Sequence, residues 1–315
     1  MCYQYNILKQ ISQFTCNIFI VSIIMLIMNT YTFSIDKIYN NLPVKSFLKK
    51  IGVSSNVLKI LSSSLGLITI NNKISITTSI LHTDNVLRLT IPELEENNIP
   101  CVKGYIDIAY EDEYILILYK PTGIATIPSF CNYKNSLASF VSFYMQGKRK
   151  NFVYRAINRL DKDAEGFVVI ALDSLIYNLL NNNIQKYYNA ICVGNVHQQT
   201  ICEPILTTKN TNNLNDITRK IDSKGKQSIT HIVSSVYNKE KNLSLIKVYI
   251  ETGRTHQIRL HLSSIGCPIL SDSIYGNKIK NIPLQLFCNE IYLFHPILNK
   301  TIHLKRDSSL IWNKI

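Results

Sequence analysis

The sequence predicts an α+β fold with a mixed, largely antiparallel sheet and a smaller α+β unit on its N-terminal side. Short runs of apolar and β-branched residues lie between turn residues, and Phe167–Leu172 is the clearest of these predicted strands. Helical periodicity is confined to short segments such as 137–144 and 258–265. Strands joined through turns, with few helices, indicate the α+β class. The 315 residues, 46% of them hydrophobic, suffice for one large domain and one small one.

The balance of charge predicts a polyanionic partner. Lys and Arg number 34 against 21 Asp and Glu, which gives a formal net charge of +13 and a pI near 9.3. Such an excess favours nucleic acid before a membrane surface. A bias toward lysine without any binding role is the alternative, because Ile, Asn and Lys are abundant throughout the chain.

The eight cysteines do not follow a metal-binding or disulfide pattern. No two of them form a Cys-x-x-Cys pair, and no His/Cys cluster has the spacing of zinc ligands. We therefore expect mostly reduced thiols, no structural metal and no disulfide framework.

Residues 1–40 are predicted to be a targeting leader outside the fold. Asn17–Met28 is apolar, with Lys9 before it and Asp36-Lys37 after it. Its length suits the core of a signal peptide and falls short of the roughly 20 residues that span a bilayer. We expect an organellar protein, plastid-like or mitochondrial, with no stable membrane partner after leader removal. A membrane anchor, a misassigned start codon and a cytoplasmic protein are the alternatives.

Residues 41–93 are predicted to form a small α+β domain. A helix ends at Gly52, Ser54 or Ser55 can cap a second helix, and Asn71-Asn72 turns a hairpin before a last strand. This order resembles the S4 RNA-binding domain. The resemblance implies RNA contacts by the lysines on or beside the unit, which are Lys45, Lys49, Lys50, Lys59 and Lys73. A packing module whose lysines are only solvated is the alternative.

A linker is predicted at 94–103, at the start of a larger domain that comprises residues 94–315. Pro92 and Pro100 flank its acidic stretch, which suggests that the larger domain can fold without the smaller one. Beyond the linker, apolar residues on both sides of the turn Glu111–Glu113 predict a hairpin.

The charged stretch before Phe167–Leu172 is the strongest candidate for a functional site. Arg159 lies two positions before Asp161, and Lys162 and Gly166 follow. Because the strand is apolar and uncharged, this turn must emerge at one edge of the core. A carboxylate held between the two cations and a packed sheet is placed for chemistry. An acidic turn that only caps the strand is the alternative.

The remainder of the chain supplies further strands and a second polar motif. Residues 186–194 and 243–251 are predicted strands, and residues 198–228 are predicted to be loop-rich. The motif Thr-Gly-Arg-Thr-His-Gln-Ile-Arg follows, where Thr255 is predicted to cap a helix that places Arg259 on an exposed face.

Together these motifs resemble the RluA-type family of RNA pseudouridine synthases. Asn158–Gly166 is similar to the family's catalytic stretch, and Gly253–His261 carries its later Gly-Arg-Thr-His-Gln element intact. The Lys-x-Tyr-x-Ala element matches Lys186–Ala190, and 111–123, 268–276 and 294–296 also match. The resemblance covers about residues 42–310, and several ordered motifs at correct spacing make it specific. Three elements depart from the family: Asn158 for His, Ala164-Glu165 for Thr-Ser, and Leu286-Phe287-Cys288 for Leu-His-Ala.

The resemblance implies an enzyme that isomerises specific uridines of structured RNA, rRNA in preference to tRNA, as a monomer without cofactor or metal. Asp161 is implied as the essential acid, acting as nucleophile or as base. Arg259 is its implied ion-pair partner, and Tyr188 is implied to stack under the uracil and help move a proton. Arg159, Arg254 and His256 are implied RNA contacts.

Two other functions stay open from the sequence. One is a catalytically inactive RNA-binding or ribosome-assembly factor on the same fold, against which the retained Asp161, Tyr188 and Arg259 argue. The other is a structural ribosomal protein that uses only the S4-like unit, which would leave residues 94–315 without a role.

Overall fold

The computed structural model describes residues 28–63, 65–128, 133–148, 152–181, 183–209 and 217–307. Residues 1–27, which hold most of the predicted leader, lie outside the described residues. The chain divides into two compact units. The first comprises Met1–Asn98, Gln146–Arg155 and Leu172–Leu179, and the second comprises Ile99–Met145, Ala156–Ala171 and Leu180–Ile315. Among the described helices, none is both long and apolar enough to cross a membrane.

The first unit contains a four-stranded sheet with the strand order β1-β4-β2-β3. Its elements are β1 (Met28–Ser34), a 3-10 turn (Lys37–Tyr39), α1 (Val44–Lys50), α2 (Ser55–Ser62), β2 (Leu67–Ile70), β3 (Lys73–Ser75) and β4 (Val86–Pro92). Ser54 caps α2 through its hydroxyl, and Gly52 ends the first helix at φ +99°. The predicted order of two helices, a hairpin and a strand is therefore present.

Residues 28–40 differ from the expectation that they lie outside the fold. Strand β1 pairs antiparallel with β4 along its whole length, from Met28 opposite Pro92 to Ser34 opposite Val86. Tyr31 is buried in the core of this unit. The hydropathy pattern concealed the strand because its residues alternate between buried and exposed positions directly after an apolar run.

Most of the remaining elements are strands of the larger sheet. The remaining elements are β5 (Asp107–Glu111), β6 (Ile115–Lys120), α3 (Leu137–Gln146), β7 (Arg155–Ala156), β8 (Glu165–Ala171), α4 (Ser174–Leu180), β9 (Ile184–Val193), β10 (Gln199–Cys202), β11 (Ile205–Lys209), β12 (Ile217–Ile221), β13 (Ile229–Asn238), β14 (Leu243–Ile250), α5 (Gln257–Ser264), β15 (Leu286–His295) and β16 (Lys300–Lys305).

The larger sheet follows the order β10-β13-β14-β9-β15-β8-β6-β5, and β16 pairs with β15. Strands β15 and β8 run parallel, whereas β6 with β8, β9 with β15 and β14 with β9 are antiparallel. The predicted α+β class with a mixed, largely antiparallel sheet is thus confirmed. Strand β8 is buried from its second residue onward, so the turn that precedes Glu165 emerges at the edge of the core.

The described parts of residues 198–228, which are 198–209 and 217–228, contain three strands, so the prediction of a loop-rich stretch is wrong. Strand β10 pairs with β13, and β11 pairs with β12 as a separate hairpin. The sequence signal was weak because strand propensity depends on cross-strand neighbours, which a polar run does not reveal.

A buried ion pair lies within the first unit, directly before the predicted linker. Arg155 Nη2 lies 2.7 Å from Glu93 Oε1 and 2.8 Å from Glu95 Oε2. The side chains of Arg155 and Glu93 are almost fully buried, whereas that of Glu95 is mostly exposed. Segments 146–155 and 172–179, expected in the larger domain, thus cluster with the N-terminal residues.

The burial of this ion pair predicts that Glu93 contributes to stability. Glu93→Gln removes one partner of a buried pair and should lower the free energy of unfolding by about 3–5 kcal/mol. Glu95→Gln, a matched change at an exposed position, should cost less than about 1 kcal/mol. Urea unfolding measures both. Equal stabilities would show that the buried pair contributes nothing, and deletion of residues 1–93 should destabilise the chain at least as much as Glu93→Gln.

Candidate active site

The turn that carries Asp161 is attached to β8 by Asn158. The amide nitrogen of Asn158 donates to Phe167 O at 3.0 Å, and its Oδ1 accepts from Val169 N at 2.9 Å. The side chain is buried, so both hydrogen bonds are shielded from water. At Gly166, where φ is +134°, a Cβ would collide with the backbone of Cys288. Asn158, a departure from the resembled family, therefore holds the turn along the strand.

Lys120 holds the other side of the same turn. Its ammonium group donates to the carbonyl oxygens of Pro121 at 2.9 Å, Ile124 at 2.8 Å, Lys162 at 3.1 Å and Ala164 at 2.6 Å. Burial lowers its pKa to about 8, against the opposing effect of nearby carboxylates. The element Lys120-Pro121-Thr122-Gly123 thus leaves the hairpin and, through Lys120, also holds the Asp161 turn in place.

Asp161 pairs with Arg259, which follows it by 98 residues. Arg259 Nη1 donates to Asp161 Oδ2 at 3.2 Å, and His256 Nε2 lies 4.0 Å from the same oxygen. The Asp161 side chain is 20% exposed, so it is accessible, whereas that of Arg259 is 3% exposed. The expectation of an exposed Arg259 is therefore wrong. Arg159 itself is exposed, and the partner of the carboxylate is Arg259.

Helix α5 is buried on several sides, which explains the polar content of its motif. Gln257 donates to Ile229 O at 2.9 Å and Thr230 Oγ1 at 3.0 Å. The ring nitrogens of His261 lie 2.9 Å from Thr230 Oγ1 and 3.0 Å from Glu203 O. The residue before the helix is His256 at φ +59°, with no side-chain cap, so the predicted cap at Thr255 is wrong. These buried hydrogen bonds fix the helix that carries Arg259.

Asp272 was not among the predicted site residues, although it binds Arg259 through two hydrogen bonds. Its Oδ2 accepts from Arg259 Nε and its Oδ1 from Arg259 Nη2, each at 2.8 Å. Burial alone would raise the pKa of Asp272, but the hydrogen bonds from Arg259 and two backbone N–H groups hold it below its usual value. The only sequence signal was the stretch 268–276, which matched the family without a role.

Tyr188 is a buried residue of β9, and it lies close enough to Asp161 for the charge of that carboxylate to affect its pKa. The pKa of Tyr188 is raised well above 10, and burial is the largest cause. The hydrogen-bonded thiol of Cys288 and the charge of Asp161 act in the same direction. Tyr188 is therefore a neutral phenol at neutral pH. Cys288, another departure from the family, supplies its hydrogen-bond partner.

Glu165 adds a carboxylate beside the Asp161 turn, and two residues interact with it. Glu165 is hydrogen-bonded to Tyr119, whose pKa is raised by burial and then by this carboxylate. Arg306 lies over the Tyr119 ring at 3.9 Å and pairs with Asp107 at 2.7 Å. Arg306 also attracts Glu165 electrostatically, so this third departure from the family has a cation nearby.

The remaining predicted residues differ in their relation to this site. Arg254 is exposed, and its backbone N–H donates to Gln257 Oε1 at 3.0 Å. Arg219 of β12, which was not predicted, is near enough to lower the pKa of His256. The five lysines predicted to contact RNA are exposed, and they are Lys45, Lys49, Lys50, Lys59 and Lys73. Among the described residues, no group of three His, Cys, Asp or Glu side chains could hold a metal ion.

Buried histidines predict a loss of stability in acid. Burial lowers the pKa values of His256, His261 and His295 below the ordinary 6.5. The unfolded chain therefore binds more protons near pH 6, so stability is complete above about pH 6.5 and falls as the pH drops. We expect a lower thermal midpoint at about pH 5.5 than at about pH 7.5. His303→Gln, at an exposed ring, should keep this difference, while equal midpoints at the two pH values would contradict the expectation.

The site residues fall within a region shared with known enzymes. A family model described as RNA pseudouridylate synthase matches residues 114–264. This range includes Asp161, Tyr188 and Arg259 and ends before Asp272.

Individual relatives are similar to this chain over a longer stretch than the family model. An uncharacterized RNA pseudouridine synthase of Bacillus subtilis, YhcT, is 31% identical over 243 residues, 75% of this chain and 79% of that protein. Ribosomal large subunit pseudouridine synthase D of Zymomonas mobilis is 33% identical over 216 residues, 62% of this chain and 67% of that protein. The structure of human RNA pseudouridylate synthase domain containing 1 has a similar fold, with a TM-score of 0.51 and 20% identity over 66% of this chain and 86% of that chain. The chain therefore belongs to the RluA-type family of RNA pseudouridine synthases, and it is an RNA-modifying isomerase.

Proposed function

We propose that this enzyme converts uridines of structured ribosomal RNA to pseudouridine, with Asp161 as the catalytic carboxylate. The observation that carries the proposal is the accessible Asp161 carboxylate, held 3.2 Å from the buried guanidinium of Arg259. The choice of ribosomal RNA over tRNA is supported by relatives named ribosomal large subunit pseudouridine synthases in Zymomonas mobilis and Buchnera aphidicola.

The chemistry is an isomerisation in which no atom is gained or lost. The bond from ribose C1′ to uracil N1 breaks, the base rotates, and a bond from C1′ to C5 forms. C5 then loses its proton, and N1 carries one in the product. Asp161 acts at the sugar as nucleophile or as base, and either role needs the ionised carboxylate. Arg259 holds this carboxylate in place, because its buried guanidinium donates a charge-assisted hydrogen bond to Asp161 Oδ2 at 3.2 Å.

Tyr188 contributes the floor of the uracil site. Its raised pKa disfavours a phenolate, so it acts as an aromatic surface and a neutral hydrogen-bonding group during the proton transfer from C5. The target base must leave its stack to reach the carboxylate, which costs a few kcal/mol. Arg159, exposed next to the turn, is suited to fill the vacated space, and Arg254 and His256 contact the flanking RNA.

The first unit acts as an S4-like RNA-binding domain whose lysines neutralise phosphates. A triple variant, Lys45→Gln/Lys49→Gln/Lys59→Gln, should bind folded RNA more weakly. The slope of the logarithm of its binding constant against the logarithm of salt concentration should become shallower by up to about 3, roughly 1 per lost phosphate contact. The matched control is Lys239→Gln/Lys241→Gln/Lys280→Gln, which removes equal charge from exposed positions of the larger unit. Filter-binding titrations across salt concentrations give the slopes. The same change in both variants would mean that only net charge matters.

The chain works as a monomer in an organelle, plastid-like or mitochondrial, and residues 1–27 direct it there. The apolar segment from Asn17 supports this, and β1 requires any cleavage to come before Met28. The subcellular location of fluorescent fusion proteins with and without residues 1–27 tests this proposal. A cytoplasmic signal from both fusions would contradict it.

Carbodiimide mapping of pseudouridine in total RNA tests the function itself. We expect at least one ribosomal RNA position to lose its modification when the gene is deleted and to stay unmodified when Asp161→Asn is supplied. An unchanged map with impaired ribosome assembly would instead identify an inactive assembly factor on this fold.

A further inference from the structure

Asp272 is a buried aspartate that approaches the active site only through another side chain. Besides the two hydrogen bonds from Arg259, its Oδ1 accepts from the backbone N–H groups of Ile274 at 2.9 Å and Tyr275 at 3.0 Å. The Asp272 side chain is 0% exposed. It cannot touch an RNA substrate, so any part it has in the reaction passes through the residues that it contacts, foremost Arg259.

The contacts of Asp272 occupy one edge of the guanidinium and leave another edge for the catalytic carboxylate. Because a guanidinium is planar, a two-point contact with a carboxylate fixes its plane as well as its position. With Nε and Nη2 held by Asp272, Nη1 of Arg259 lies 3.2 Å from Asp161 Oδ2. A misplacement of about 1 Å near a reacting group can lower a rate by about 100-fold.

Tyr275, three residues after Asp272, supports the same arrangement. The guanidinium carbon of Arg259 lies 5.5 Å from the centre of the Tyr275 ring. The Tyr275 hydroxyl lies 3.1 Å from Nδ1 of His256, whose Nε2 lies 4.0 Å from Asp161 Oδ2. The turn 272–275 therefore contacts both Arg259 and His256, the two residues that face the catalytic carboxylate.

We propose that Asp272 is a positioning residue of the active site, which aims Nη1 of Arg259 at Asp161. The inference rests on the proposed catalytic role of Asp161. The competing interpretation is a buried ion pair that only stabilises the fold. In that case its loss would lower stability and leave the rate of the folded molecules unchanged.

Nitrogen-15 NMR of the arginine side chains tests the positioning without reference to the reaction. In the wild type, Nε–H of Arg259 donates to Asp272 and should exchange slowly with water. Asp272→Asn keeps the shape of the side chain but replaces one oxygen with an N–H₂ donor, so we expect this protection to be lost. A protected Arg259 signal in the variant would overturn the inference. It would leave the proposed function untouched, because that function is tested separately at Asp161.

Single-turnover rates at saturating RNA then show whether the positioning matters for catalysis. Asp272→Asn should lower the rate by about 100-fold while RNA affinity stays near wild type. Lysine has no planar guanidinium for Asp272 to orient. In an Arg259→Lys protein, adding Asp272→Asn should therefore lower the single-turnover rate by less than about threefold. Equal losses in both backgrounds would overturn the proposal.

Two further variants separate positioning from folding. Asp173→Asn changes another buried aspartate, one that accepts from Ile176 N at 2.9 Å at the start of α4, and should keep the wild-type rate. If Asp272→Asn does not fold, Asp272→Glu keeps the charge and moves the carboxylate by one methylene. A folded Asp272→Glu protein should be slow, with unchanged RNA affinity. A wild-type rate from it would count against the proposal.

Discussion

Asp161→Asn is expected to lower the rate of pseudouridine formation by about 10⁴-fold or more, since the amide can neither attack the sugar nor accept a proton. RNA affinity should stay near wild type, because phosphate contacts made elsewhere supply most of it. A tritium-release assay from C5-labelled RNA measures the rate, and filter binding measures the affinity.

The matched control is Asp163→Asn, in the same turn. Asp163 is exposed, and its backbone carbonyl rather than its carboxylate accepts from the Thr122 hydroxyl. The control should keep near-normal turnover. Comparable rates for the Asp161 and Asp163 variants would remove Asp161 from the mechanism.

Arg259→Ala is expected to impair both catalysis and stability. It leaves Asp161 without its pair and Asp272 as a buried carboxylate that keeps only backbone donors. Removing one partner of a buried pair typically costs about 3–5 kcal/mol, so chemical denaturation should show a loss of that size. Turnover of the fraction that stays folded should also fall, because Asp161 loses the guanidinium that holds its carboxylate in place.

Arg254→Ala provides the comparison within the same sequence motif. Arg254 is exposed, so its loss should leave the free energy of unfolding nearly unchanged and act mainly on KM through RNA contacts. An Arg259→Ala protein with wild-type stability and rate would contradict the proposed pairing. So would an Arg254→Ala protein that is destabilised to the same extent.

Local chemistry in the sequence determined many of the elements. Ser54 accepts a hydrogen bond from Val57 N at the start of α2, as its capping chemistry predicts. Gly52 follows α1 at φ +99°, where glycine is favoured. Most of the apolar run Phe167–Leu172 lies in the buried part of β8, and Leu172 follows the last residue of the strand. These features depend on residues close in sequence, which is why the sequence alone predicted them.

Elements that depend on distant partners were predicted less well. Strand β1 exists through its pairing with β4, and β10 through its pairing with β13. The spacing of polar residues in helix α5 predicts an exposed face that carries Arg259. Gln257 and His261 are instead buried with hydrogen-bond partners on other elements, an arrangement that periodicity cannot distinguish from exposure.

The candidate site divides in the same way. The turn that carries the carboxylate follows from local sequence, because Asp161 precedes an apolar strand and must emerge at its edge. Family resemblance added Arg259 and Tyr188 as implied partners. The burial of Arg259 between Asp161 and Asp272, and the contact of Lys120 with the Asp161 turn, are visible only in the folded chain. Ion pairs and buried hydrogen bonds act over a few ångströms in space, and residues 98 positions apart in the chain meet only when the sheet has formed.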